Sequence, residues 1–174
     1  MNAAFAAYRV TAEGPELSFE RRYDRPCEQV WRALTESAQL RKWFPADLLG
    51  TLEEGATIRI VSWSGRFEPA DGTVTAYEAN RVLEYTWGDE RLRWELRANS
   101  GCGLTFTNLL DDRASRIGIA AIAAAWHACL DGLDALLSDE SPTFDAEHRA
   151  GELVEQYIAR LLIANRRPDS ESST

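Results

Sequence analysis

Between Ala56 and Leu110 the chain offers five strand-like segments in a row, joined by connections too short to hold a crossover helix. The segments are Ala56–Trp63, Gly72–Ala79, Val82–Trp87, Arg91–Arg97 and Gly103–Leu110. Turn-forming residues separate them: Gly65, Asp71–Gly72, Asn80, Gly88–Asp89 and Asn99–Ser100–Gly101. Such a run predicts an antiparallel meander. In Arg91–Arg97, Leu92, Trp94 and Leu96 alternate with Arg91, Arg93, Glu95 and Arg97, so one face meets a core and the other meets water. The same parity groups Leu83 with Tyr85 and Trp87, and Leu104 with Phe106 and Asn108. Val74 and Tyr77 break strict alternation, which predicts a bulge in that strand.

The hydrophobic period then changes from two to that of a helix. From Ala114 to Leu137, the residues Ile119, Ile122, Trp126, Leu130, Leu133 and Leu137 fall on one side, with His127, Asp131 and Asp134 elsewhere. The first half of this helix is small: Ala120, Ala121, Ala123, Ala124 and Ala125. Small residues facing a curved sheet leave room unless large side chains opposite fill it, so a cavity is expected. Upstream, Leu17–Tyr23 alternates as a strand, and Pro26 opens a helix with Asp24 or Arg25 near its cap and Glu28 in its first turn. Ser37 caps a second short helix that Pro45 stops. A polar break over Ser138–Pro142 precedes a last helix, Ala150–Asn165, with Val154, Tyr157, Ile158, Leu161 and Leu162 on one face. The expected division is a flexible arm at 1–16, one α+β domain at 17–137, a linker and added helix at 138–165, and a disordered tail at 166–174.

Charge and composition exclude several functions. Apolar residues at 45% and charged residues at 27% fit a folded domain. A net charge of −9 without a lysine run argues against nucleic-acid binding and against an anionic membrane surface. The N-terminus lacks the pattern of a signal peptide, and the apolar run Ile117–Trp126 is too short to span a bilayer. Cys27, Cys102 and Cys129 show no CxxC spacing and read as reduced, buried thiols of a cytoplasmic protein.

The order of strand, two short helices, meander and long helix resembles the START-like superfamily, also called SRPBCC or birch-pollen-allergen-like. Local strings point to one branch. LSFERRYDRPCEQVWRALTESAQLRKWF is similar to its opening pattern, and RVLEYTW, LTFTN and AWHACLDGLDALL follow in order. That branch is named for its similarity to the C-terminal domain of the activator of heat shock protein 90 ATPase. The resemblance covers roughly residues 16–137 and implies a helix-grip fold, with a curved antiparallel sheet wrapped around the long helix. Nothing in the chain corresponds to the N-terminal domain of the two-domain cochaperone, so a chaperone partner ranks third among the functional readings.

Catalytic and metal chemistry find little footing in the residues. His127 and His148 are the only histidines, and neither has a second ligand at helical or loop spacing. No G-x-S-x-G, phosphate loop or recognised Cys–His pairing is present. Glu84 and Glu95 face away from the aromatic side by parity, and Asp111 and Asp112 lie in a loop. The first reading is therefore a non-enzymatic binder of a small hydrophobic or aromatic molecule, with no metal or cofactor. Its expected pocket is lined by Trp63, Tyr85, Trp87, Trp94, Phe106, Asn108, Ile119, Ile122 and Trp126, with Trp43 and Phe44 closing the mouth. The second reading is a cavity enzyme, a cyclase, dehydratase or hydrolase acting on an aromatic or polyketide-like substrate. A homodimer through the last helix or an edge strand is open to such a chain, though no residue demands it.

Overall fold

Parity sets the architecture of the computed structural model, which describes residues 4–138 and 146–163. The strands are β1 (Ala7–Thr11), β2 (Gly14–Tyr23), β3 (Ala46–Leu49), β4 (Thr57–Ser62), β5 (Ala70–Glu78), β6 (Val82–Trp87), β7 (Glu90–Asn99) and β8 (Gly101–Leu109). The helices are α1 (Cys27–Thr35), α2 (Ser37–Leu40), α3 (Arg116–Leu137) and α4 (Ala146–Ile163). All strand pairings are antiparallel, in the order β1-β2-β8-β7-β6-β5-β4-β3. The meander β3–β8 is thus completed by β2, which returns to lie beside β8. With α3 gripped by the curved sheet, this is the helix-grip α+β fold.

Register builds the core in rows. Phe19, Phe106, Trp94 and Leu83 stand opposite one another across β2, β8, β7 and β6, and all four are buried. The next row runs Leu17, Asn108, Leu92, Tyr85 and Val74, also buried. The register of β5 against β6 shifts between Val74 and Ala76, the bulge that the broken alternation predicts. Asn80 turns the chain between them with φ of 62°. Asp71–Gly72, expected as a turn, lies inside β5 instead. A Cβ at Gly72 would sit 2.2 Å from the Thr86 carbonyl oxygen, so glycine here serves the close approach of β6.

Helix α3 starts at Ser115, whose side chain accepts a hydrogen bond from the Gly118 amide at 3.1 Å. Ala120, Ala123 and Ala124 are buried. Of the described helices, α3 is long and apolar enough to cross a membrane, but 56% of that apolar window is buried inside the protein, which makes it the core helix. Helix α4 begins at Ala146, four residues before the expected start, and packs Leu153 and Tyr157 onto α3.

Several expectations need correction. Residues 7–16 of the expected flexible arm are β1, its turn and the start of β2. β3 follows Pro45 and was not foreseen. Pro26 itself is the N-cap of α1, so neither Asp24 nor Arg25 caps it, and Glu36 rather than Ser37 caps α2. Ser37 donates its hydroxyl to Asp47 at 2.8 Å instead. Cys27 and Cys102 are joined by a disulfide, which leaves Cys129 as the free thiol. The expected break at 139–142 and the tail at 166–174 lie outside the described residues.

Candidate functional site

Large rings of the sheet stand opposite the small face of α3. Trp94 stacks on Phe106 with centroids 3.9 Å apart, and Phe106 meets Trp126 edge-on at 4.8 Å. Phe44 stacks on Trp126 at 5.7 Å, and Trp43 meets Trp94 at 5.7 Å. The Trp43 indole N–H donates to the Ala33 carbonyl at 2.9 Å, which fixes that ring in the core. Trp43, Phe44, Tyr85, Trp94, Phe106 and Ile119 are all buried among one another. Burial drives the Tyr85 hydroxyl well above its ordinary value, against a hydrogen bond with Trp94. Trp63 stands apart, half-buried under the Arg41 guanidinium at 5.3 Å.

Open space lies at the rim, where α3 passes the end of the β6–β7 hairpin. One groove, of about 290 Å³, is lined by Trp87, Glu90, Ile122, Ala125 and Trp126. A second, of about 220 Å³, adjoins it across Trp87, Ala125 and Trp126 and continues to Pro45, Arg66, Cys129 and the start of α4. Of the expected pocket residues, the structure brings Trp87, Ile122 and Trp126 to this groove. Asn108 sits directly behind it. Burial pushes the Cys129 thiol up to about 12, so it is no thiolate at neutral pH.

The polar chemistry of the first groove runs through one hydrogen-bonded line. The Trp126 indole can only donate, and its Nε1 lies 2.9 Å from Asn108 Oδ1. That contact fixes the amide orientation, so Asn108 Nδ2 points outward and donates to Glu90 Oε2 at 3.0 Å. Asn108 is fully buried. Glu90, at the first position of β7, is half-buried at the groove wall. Burial raises its carboxyl above the ordinary range; the Asn108 bond opposes this, and the charge of Asp111 adds to it. Glu90 is the residue that parity missed, because it belongs to the turn end of its strand. The signal for it was Asn108, an amide at an inward position among apolar neighbours, which needs buried partners.

A second polar cluster fills the opposite flank of α3. His127, which the helical spacing sets off the apolar side of α3, is 2% exposed because α4 covers it. Its Nδ1 lies 2.9 Å from the Tyr157 hydroxyl, which in turn accepts the Ala6 amide at 3.0 Å. On the other side of the ring, His127 Nε2 lies 3.5 Å from Asp131 Oδ1. Arg21 joins Asp131 at 3.8 Å and Asp134 at 3.2 Å, Tyr23 donates to Asp134 at 2.8 Å, and Arg149 donates to Asp131 at 3.0 Å. Among the described residues no three His, Cys, Asp or Glu side chains gather as a metal site.

Comparison with solved structures supports the fold. A protein of unknown function, EF2215 from Enterococcus faecalis, is similar at a TM-score of 0.75 and 20% identity, covering 92% of both chains. CalU16 from Micromonospora echinospora is similar at 0.68 and 20% identity, covering 91% of this chain and 98% of its own. The protein encoded by BPP1335 of Bordetella parapertussis is similar at 0.68 and 21% identity, over 99% and 95%. No curated protein gives a significant match. The family described as "Activator of Hsp90 ATPase homolog 1-like protein" matches residues 24–138, from the turn before α1 to the end of α3. With that match spanning most of the helix-grip core, the chain belongs to the activator of Hsp90 ATPase homolog 1-like family.

Proposed function

We propose that this chain binds a small hydrophobic or aromatic molecule in the rim groove between Trp87 and Trp126. The observation that carries this reading is the groove's make-up: Trp87, Ile122, Ala125 and Trp126 supply apolar area, and Glu90 supplies one polar point. The occupant is smaller than an enclosed chamber would take, since the stacked rings of Trp94 and Phe106 already fill the grip. A second reading has one observation in its favour. A carboxyl with a raised proton affinity beside an apolar groove suits general acid catalysis, so an enzymatic role would pass through Glu90. The protein-partner reading has less support, because the exposed large apolar side chains Tyr8, Val10, Leu49 and Ile117 are spread over β1, β3 and α3. The cytoplasmic setting, read from three free thiols, loses that ground, since a crosslink such as Cys27–Cys102 persists where thiols are not kept reduced.

Tryptophan fluorescence titrated with indole and naphthalene tests the reading. Saturable quenching is expected, weakened at least tenfold in Ile122→Trp, where the larger ring fills the groove. An unsaturable response to both compounds in the unaltered protein would sink it.

A further inference from the structure

Glu90 differs from the acids around it. Glu84 pairs with Arg93 at 3.1 Å, Glu95 with Arg93 at 3.0 Å, and Asp89 with Arg113 at 3.1 Å. Asp111 also lies against Arg113, at 2.6 Å. Arginines are therefore plentiful on this edge of the sheet. Among the described residues, none of them reaches Glu90, whose hydrogen-bond partner is Asn108. Its second oxygen, Oε1, has no hydrogen-bond partner among the described residues.

The surroundings specify what that oxygen would accept. A carboxylate beside two indole rings is the combination that holds an organic ammonium: the oxygen accepts its hydrogen bond, and the ring faces attract its charge. An anion would meet the charges of Glu90 and Asp111 together, within a chain of net charge −9. A neutral hydroxyl would gain one hydrogen bond without the charge attraction.

We propose that the groove takes an aromatic amine in its protonated form, with the ring against Trp87, Ile122 and Trp126 and the ammonium on Glu90 Oε1. This rests on the reading of the groove as a small-molecule site and adds the class of ligand. The raised proton affinity of Glu90 gives a pH signature: a cation binds the ionised carboxylate, so affinity falls as pH drops and Glu90 takes up its proton.

The test uses three ligands of one shape, tryptamine, tryptophol and indole-3-acetate, titrated calorimetrically into the full chain and into Glu90→Gln. Tryptamine is expected to bind at least tenfold more tightly than tryptophol, and indole-3-acetate most weakly. In Glu90→Gln the advantage of tryptamine over tryptophol is expected to vanish. Equal affinities for tryptamine and tryptophol in the unaltered protein would overturn the ammonium assignment yet leave the groove as an aromatic site. Tryptamine keeping its full advantage in Glu90→Gln would overturn it as well. No binding of any of the three would bring down the groove reading itself. The unaltered chain answers the first and last of these without any variant, and a thermal melt shows whether Glu90→Gln folds as the parent does.

Discussion

Trp126 and His127 are neighbours on one helix, and each starts a buried hydrogen-bonded line, but the two lines end differently. From His127 the line passes to Tyr157 and the Ala6 amide, with Asp131, Arg21 and Arg149 around it, and it ends on groups of the chain itself. From Trp126 it passes to Asn108 and stops at Glu90, which faces a groove. A closed network holds parts of a fold together, here α4 and the N-terminal segment on the back of α3. An open one presents a prepared group to the outside. Burial alone does not tell the two lines apart, since both histidine and tryptophan are buried.

The largest effect is expected from removing the origin of the open line. Trp126→Ala deletes a ring packed against Phe44 and Phe106 and leaves the Asn108 carbonyl oxygen without its donor. It should cost about 4 kcal/mol in denaturant unfolding. A loss below about 1 kcal/mol would mean that the ring is not seated as described. A smaller effect is expected in the closed line. Tyr157→Phe keeps the ring contacts with Phe5 and His127 but removes the hydroxyl between His127 and Ala6. It should cost about 1–2 kcal/mol and speed hydrogen exchange at the Ala6 amide, while leaving indole binding in the groove unchanged. Weakened indole binding in Tyr157→Phe would join the two lines and end the contrast.

The smallest effect is a slope with pH. Burial holds His127 below its ordinary value near 6.5; Asp131 on its own helix opposes this, while Arg21 of β2 and Arg149 of α4 add to it, and the neutral Tyr157 hydroxyl faces Nδ1. Below that ordinary value the unfolded chain binds a proton that the folded chain refuses. Stability from His127 is therefore complete above about pH 6.5 and is lost as pH falls, by at most about 1.4 kcal/mol per unit. Glu90 and Asp134, both raised by burial, act with the opposite sign, so their share is lost as pH rises through the raised values. Subtracting the profile of His127→Gln from that of the parent isolates the histidine. A flat difference between pH 5 and 7 would show that the ring titrates as freely as in the unfolded chain.

Strand parity made the centre of the sheet legible. Leu92, Trp94 and Leu96 face inward as their alternation with Arg91, Arg93, Glu95 and Arg97 requires. β1 carried no such signal, because an outermost strand whose residues are mostly exposed has no buried face to write into its sequence. The burial of His127, off the apolar side, was not legible because a helical wheel measures angle from one face, whereas α3 is covered on two. The small residues of α3 pointed to room inside the grip, but room depends on what stands opposite, and Trp94, Phe106 and Phe44 stand there. Asn108 was legible as an inward amide, while its partner Glu90 needed the register of β7 against β8, which pairs Leu92 with Asn108 and so sets the start of β7 near the amide.

The covalent link from Cys27 to Cys102 changes what the unfolded chain is. It closes a ring across 75 positions, from the start of α1 to the start of β8, that contains the whole of β3 to β7. By chain entropy alone such a ring is worth about 4.5 kcal/mol to the folded state. It also acts on the route to that state. The pairing of β2 with β8 joins residues as distant as Glu16 and Leu109, the kind of contact that slows the search of a free chain. In the oxidised chain Tyr23 and Cys102, which open that pairing, are already tethered within a few residues of each other, so the slowest zipper in the sheet starts from a fastened end.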